Sequence, residues 1–278
     1  MQLLHVLHVL VQQQKQLIIG KMGFYLFGTF IPYYGFFIMI GIVCAYFFGL
    51  ILVKKKQLDT NDYIIVCAYL VGFGFVGAKL FYIIVSIKDI DFSLVFSSIK
   101  AFNDFFASGF VFYGGLIGGL IAFIALKKWH NIDSGEYIKI ITPSLGIAHC
   151  FGRIGCSFAG CCHGKITTSN FAFIYTKSLA APNNVPLFPV QGIEAFCLLI
   201  LSIICFVLVI KNSKIKVQFL YILVYSVLRF ILEFFRGDSA RGLYSGISTS
   251  QIVSICLFFS VIFLLIIDKI RKRKEVLQ

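Results

Sequence analysis

The sequence predicts an all-α membrane protein with seven transmembrane helices, and three observations carry that prediction. The chain has 278 residues, of which 59% are hydrophobic and only 13% charged, too little charge to cover the surface of a soluble domain. Seven apolar runs recur, at 31–53, 63–87, 109–126, 137–156, 190–210, 217–235 and 246–267. Each is close to the ~20 residues that a helix needs to cross a bilayer with its backbone polar groups satisfied. The net charge of +13 is also not spread evenly: its basic clusters stand at alternate ends of the runs.

The elements follow in order. Residues 1–28 begin with a short apolar patch (Leu3 to Val11) and a Gln-rich stretch. With no basic leader region and no small-residue cleavage site, this is an interfacial or disordered arm rather than a signal peptide. Run one opens on Tyr33 and Tyr34 and ends in Lys54, Lys55 and Lys56. Run two carries Gly72, Gly74 and Gly77, and run three Gly114, Gly115, Gly118 and Gly119 before Lys127 and Lys128. Glycines at this spacing let helices approach closely. Run four leads into Gly152-Arg153-Ile154-Gly155-Cys156, and run five opens on Gln191 and Glu194 and ends among Lys211, Lys214 and Lys216. Run six carries Tyr225, Arg229, Glu233 and Arg236, spaced four, four and three apart and therefore on one helix face. Run seven ends in Lys269, Arg271, Lys272, Arg273 and Lys274.

Seven spans put all four basic clusters on one side, which the positive-inside rule makes cytoplasmic. The N-terminus is then outside, residues 29–268 are the transmembrane domain, 157–189 an outer head segment and 269–278 a basic cytoplasmic tail. The basic excess is explained by topology and anionic lipid, so nucleic acid is not an expected partner.

This topology brings Tyr34, Tyr113, Gly115, Arg153, Gln191, Glu194, Tyr225, Arg229, Glu233 and Arg236 to the outer half of the membrane. Ionisable groups there are costly and mark sites. Arg236 at a helix end could instead snorkel to the headgroups, and Glu233 could be half of a structural ion pair. Two arginines at one depth, Arg153 and Arg229, suit a phosphate, which guanidinium binds through paired hydrogen bonds. A phospholipid ligand follows. Cys44, Cys67, Cys197, Cys205 and Cys256 lie in apolar runs as small hydrophobes, whereas Cys150, Cys156, Cys161 and Cys162 cluster. A Cys156–Cys161 or Cys156–Cys162 disulfide and packing by reduced thiols are both open. The spacing does not match a paired Cys-x-x-Cys site, so no metal is expected.

From residue 31 to 267 the chain resembles the bacterial prolipoprotein diacylglyceryl transferases. The resemblance lies in Pro32-Tyr33-Tyr34-Gly35, Gly77-Ala78-Lys79-Leu80-Phe81-Tyr82 and Phe112-Tyr113-Gly114-Gly115-Leu116-Ile117-Gly118, then Gly152-Arg153-Ile154-Gly155 and Pro189-Val190-Gln191-Gly192-Ile193-Glu194. It continues in Tyr225-Ser226-Val227-Leu228-Arg229, Glu233-Phe234-Phe235-Arg236 and Ile247-Ser248-Thr249-Ser250-Gln251-Ile252. The resemblance implies transfer of the diacylglyceryl group of phosphatidylglycerol to the lipobox cysteine of a prolipoprotein, forming a thioether and releasing glycerol phosphate. It implies a monomer in the bacterial inner membrane, with its site toward the outer leaflet and no cofactor.

On that reading Arg153 and Arg229 hold the phosphate, Tyr34 orients the headgroup, and Glu233 and Arg236 shape the entrance or fix Arg229. Tyr225, Gln191, Glu194 and Gly115 complete the substrate site. The chain departs from the family where it has Lys79 for arginine, Tyr113 for the histidine before Gly-Gly, and Cys156, Ala159 and Cys161 for two asparagines and a glutamate. Tyrosine, with a reference pKa of about 10 against about 6.5 for histidine, is the weaker base near neutral pH, where it stays protonated. His149 and His163 are alternative bases or structural histidines, and a divergent phospholipid-binding paralogue that modifies another acceptor, or is a non-catalytic lipid-binding or transport protein, is the competing reading.

Overall fold

The structure is a computed structural model that describes residues 17–19, 22–27, 29–107, 109–238, 243–244 and 246–277. Among the described residues the long helices are α1 (Tyr33–Lys55), α2 (Thr60–Ser86), α5 (Phe112–His130), α6 (Ser134–Ala159), α7 (Val190–Ile210), α8 (Val217–Glu233) and α9 (Thr249–Leu277). Two short helices, α3 (Phe92–Val95) and α4 (Ile99–Ala107), lie between α2 and α5. Four of the helices, α1, α2, α7 and α9, are long and apolar enough by length and composition to cross a membrane. Large apolar side chains such as Ile84, Leu120, Ile124, Phe259 and Phe263 are exposed along the helices, a surface that water would not tolerate and lipid would. This is an all-α membrane protein.

Local chemistry sets the helix ends. Asp59 caps α2, accepting hydrogen bonds from the backbone N–H of Asn61 (2.6 Å) and Asp62 (3.1 Å). Asn131 closes α5 in the left-handed conformation, φ 53°. Pro143 sits inside α6, and its carbonyl accepts the Ser202 hydroxyl of α7.

The chain divides into two compact units, Leu50–Ile138 and the remainder, Met1–Gly49 with Lys139–Gln278. In the first, α2 and α5 cross through glycines. A Cβ at Gly77 would collide with the Gly114 carbonyl oxygen and lie 3.0 Å from Cα of Gly118, so only glycine permits that approach. Gly77→Ala therefore destabilises by about 1–3 kcal/mol, the usual cost of overpacking, and lowers the melting temperature in detergent. Gly72→Ala, where an added Cβ meets nothing within 4 Å, leaves it unchanged.

The second unit holds α6 to α9 and three small sheets. The described part of the N-terminal segment is extended. The strand β1 (Leu17–Ile19) pairs in parallel with β4 (Phe173–Tyr175), which pairs antiparallel with β5 (Pro186–Leu187). β2 (Gly23–Leu26) and β3 (Thr29–Pro32) form an antiparallel pair leading into α1. Ile19, Tyr175, Ala181 and Leu187 form a buried cluster with Phe158 packed on it, so the 157–189 segment is anchored to the end of α6. A last antiparallel pair, β6 (Leu243–Tyr244) with β7 (Ile247–Ser248), leads into α9. Residues 1–16 lie outside the described residues.

Candidate active site

Three helices of the second unit deliver one charged cluster. α6 presents Arg153, α7 presents Glu194 from its first turns, and α8 presents Tyr225, Arg229 and Glu233 on the single face that their spacing requires. Glu194 is the hub: its Oε1 lies 3.1 Å from Arg153 Nε, its Oε2 lies 3.9 Å from Arg229 Nη1, and Tyr225 donates to Oε1 at 3.2 Å. Arg229 Nη2 reaches Glu233 Oε2 at 2.7 Å and donates to Ser250 Oγ of α9 at 2.9 Å. Arg236 follows, with Nη1 3.6 Å from Glu233 Oε2 and Nε donating to Asp238 Oδ1 at 2.9 Å. Glu194 is 1% exposed, Glu233 3% and Arg229 8%, so these charges are out of bulk solvent, where attraction between them is strong. Arg153 Nε and Arg229 Nη1 are nonetheless buried nitrogens that make no hydrogen bond. Two guanidinium groups converging on one buried carboxylate are the donor type that binds a tetrahedral anion.

The turn after α6 packs beside this cluster. Gly160 doubles the chain back with φ 75° and Cys162 follows in the same left-handed region at φ 59°, which is costly for a residue with a Cβ. Antiparallel bonds then tie the turn to the exit of α8: Lys165 N–H donates to the Phe235 carbonyl at 2.8 Å, and Gly237 N–H to the His163 carbonyl at 2.9 Å. Gln191 Nε2 donates to the Cys161 carbonyl at 3.0 Å, and the Tyr175 hydroxyl to the Ser157 carbonyl at 2.8 Å. The sulfurs of Cys156, Cys161 and Cys162 all lie within 4.8 Å of one another, and all three thiols are free. The Cys162 thiol is held far below its ordinary value, first by hydrogen bonds from Cys156 and Cys161 and then by the Arg236 and Arg153 guanidiniums. Cys161, on the donating side, is pushed up.

Of the site residues expected from sequence, Arg153, Glu194, Tyr225, Arg229, Glu233 and Arg236 form one network, with Gln191 supporting the adjoining turn. Tyr34, in the first turn of α1, packs against α6: a Cβ on Gly155 would lie 3.1 Å from the Tyr34 carbonyl oxygen. His149 Nδ1 lies 3.2 Å from the Tyr221 hydroxyl, and its ring packs edge-on against Tyr225 at 4.8 Å. His163 is buried, with Nδ1 3.0 Å from the Gly164 carbonyl. Tyr113 and Gly115 belong to the other unit, on α5, where Gly115 faces the Gly74 carbonyl of α2. Lys79, in that unit, donates to the Phe105 carbonyl and sits 3.8 Å from the Phe105 ring centre.

Three participants escape sequence reasoning. Asp238 lies two residues past the helical pattern that singles out Arg236. Ser250 is an ordinary hydroxyl until α9 folds beside α8. Tyr221 extends the four-residue spacing of Tyr225, Arg229 and Glu233 by one turn, a signal present in the sequence.

Comparison with known proteins matches residues 21–267 to the family described as prolipoprotein diacylglyceryl transferase. The phosphatidylglycerol–prolipoprotein diacylglyceryl transferase 2 of Clostridium perfringens (strain 13 / Type A) is 36% identical over 256 residues, covering 90% of this chain and 96% of that protein. The phosphatidylglycerol–prolipoprotein diacylglyceryl transferase of Clostridium tetani (strain Massachusetts / E88) is 38% identical over 255 residues, covering 90% and 98%. The equivalent from Lactobacillus acidophilus (strain ATCC 700396 / NCK56 / N2 / NCFM) is 30% identical over 285 residues, covering 95% of each.

Proposed function

The chain belongs to the prolipoprotein diacylglyceryl transferase family, and on that premise we propose that it transfers the diacylglyceryl group of phosphatidylglycerol to a prolipoprotein cysteine. One observation carries the assignment to this site: Arg153 and Arg229, from separate helices, converge on one buried carboxylate, Glu194. The leaving group of the reaction is a phosphate ester oxygen. Its negative charge grows as the carbon–oxygen bond breaks, and preorganised guanidinium donors stabilise that growth more than they stabilise the ground state.

In this reading Arg153 and Arg229 grip the phosphate, and Tyr225 holds Glu194 so that the two arginines stay aimed. Glu233 and Arg236 fix Arg229 from its far side, and Asp238 fixes Arg236. Tyr34 orients the glycerol headgroup, while Gln191 holds the turn that roofs the site. Tyr113 is the remaining hydroxyl of this reading, on α5, and Gly115 beside it lets α5 pack closely against α2.

The seven helices span a bacterial inner membrane with the N-terminus outside and the C-terminus in the cytoplasm. Residues 29–268 are then the catalytic domain, 157–189 the outer head, and 269–278 the cytoplasmic tail. The site faces the outer leaflet, where a monomer meets its lipid and the translocated signal peptide.

The test is release of glycerol phosphate by the purified chain. Release that needs both phosphatidylglycerol vesicles and a lipobox peptide supports the proposal, and release without peptide, or none, contradicts it. In the same assay His149→Gln and His163→Gln keep their activity, because each imidazole already has a local partner in the Tyr221 hydroxyl or the Gly164 carbonyl. Loss of transfer with retained lipid binding in either variant would make that histidine the base.

A further inference from the structure

We propose that Cys156, Cys161 and Cys162 are the three protein ligands of a zinc-type site whose open fourth position takes the sulfur of the acceptor cysteine. This inference rests on the diacylglyceryl transferase reading and supplies what that reading lacks, a means of ionising the acceptor thiol.

The spacing Cys-x4-Cys-Cys looks unlike a metal motif, and the fold changes that. Two left-handed positions, at Gly160 and Cys162, turn the chain back until the three sulfurs come within 4.8 Å of one another. The turn does not need a disulfide to hold this shape. Gln191 bonds the Cys161 carbonyl, Gly160 N–H bonds the Cys156 carbonyl at 2.9 Å, and the His163 carbonyl accepts from Gly237. The backbone is fixed by bonds that leave all three sulfurs available.

The donor set selects the ion. Three thiolates suit a soft or borderline d10 cation such as Zn2+ and do not suit Mg2+ or Ca2+, which take oxygen ligands. Structural zinc sites are closed by four protein ligands, whereas three protein ligands and one open position are the catalytic pattern. Among the described residues no fourth His, Cys, Asp or Glu joins the group. Arg153, three residues before Cys156 on α6, and Arg236, bridged to the turn at Gly164, supply positive charge around a tris-thiolate that carries net negative charge.

The chemistry then balances without an oxidant or reductant. Zinc displaces to solvent the protons that remain on the three sulfurs as it binds. An ordinary cysteine, with a pKa of about 8.5, is mostly protonated near neutral pH, but a thiol that coordinates a divalent cation is deprotonated outright. The acceptor loses its proton to solvent as it enters the fourth position. Its sulfur lone pair forms a bond to the glycerol carbon that bears the phosphate ester. The carbon–oxygen bond breaks, its electron pair leaves on the phosphate oxygen, and Arg153 and Arg229 hold the departing glycerol phosphate. The product thioether is neutral and a poor ligand, so it leaves the metal.

The experiment uses the full chain, purified in detergent under reducing conditions. We expect one zinc per chain, lost in each of Cys156→Ser, Cys161→Ser and Cys162→Ser. Replacement by Co2+ gives a thiolate-to-cobalt absorption band that grows when a lipobox peptide is added without phospholipid, and does not grow with the peptide's cysteine replaced by serine. Chelation of the wild type lowers transfer by about 100-fold, the low end for losing assisted proton removal, and added Zn2+ restores it. Full activity in chelated, metal-free protein overturns the proposal, as does a disulfide between any two of the three cysteines in the active protein. Bound metal and a peptide-sensitive cobalt band without any thioether product uphold the site and overturn the transferase reading instead.

Discussion

Arg229→Ala reduces diacylglyceryl transfer by about 10²–10³-fold, the loss measured elsewhere when one donor to a developing anion is removed. Arg229 is 8% exposed and reaches Glu194, Glu233 and Ser250 at once, so its removal takes away a fixed cationic donor that a neutral water does not replace. Arg229→Lys does not restore the rate, because a single ammonium cannot make the paired, planar contacts of a guanidinium. Arg153→Ala has a loss of the same order. The double variant falls short of the product of the two, since both residues act on one phosphate through one carboxylate. Cys256→Ala, on the exposed face of α9, leaves the rate unchanged. Initial rates with phosphatidylglycerol vesicles and a lipobox peptide check all of these values.

Glu194→Ala produces the largest stability loss, about 3–5 kcal/mol, because it leaves two buried guanidinium groups without their shared counter-charge. Glu194 is 1% exposed and touches Arg153, Arg229 and Tyr225, so its removal strands partners on three sides. Denaturation of the purified protein in detergent reads the effect. Glu194→Gln keeps the volume and one acceptor for the Tyr225 hydroxyl, and loses less stability than the alanine variant. A Glu194→Ala protein as stable as the wild type would mean that the two arginines find other partners, and would remove Glu194 from the centre of the site.

Much of this arrangement is legible in the sequence because period and composition encode it. The apolar runs have the length of membrane helices, and among the described residues four of the long helices that lie on them are apolar enough to cross a membrane. The four-residue spacing of Tyr225, Arg229 and Glu233 places them on one face, and their contacts with Glu194 and one another follow from that face turning toward α7. Arg153 and Glu194 are legible as charges in apolar surroundings, since such charges persist in a membrane only when paired or functional.

What stays hidden depends on chain reversal rather than period. Nothing in the spacing of Cys156, Cys161 and Cys162 reveals that left-handed residues at Gly160 and Cys162 bring their sulfurs together. Strand pairing between Leu17–Ile19 and Phe173–Tyr175 joins segments more than 150 residues apart through backbone hydrogen bonds, which side-chain patterns do not specify. Asp238 and Ser250 are likewise ordinary polar residues until the exit of α8 and the start of α9 bring them to Arg236 and Arg229.

The most direct test of the central claim, that the Arg153–Glu194–Arg229 cluster performs diacylglyceryl transfer, is tandem mass spectrometry of a lipobox peptide incubated with the purified chain and phosphatidylglycerol. The account predicts one diacylglyceryl group in thioether linkage on the lipobox cysteine, and none when Arg153 or Arg229 is alanine. An unmodified peptide with the wild-type protein, under conditions where the Clostridium tetani relative yields product, would contradict it, as would undiminished product from either arginine variant.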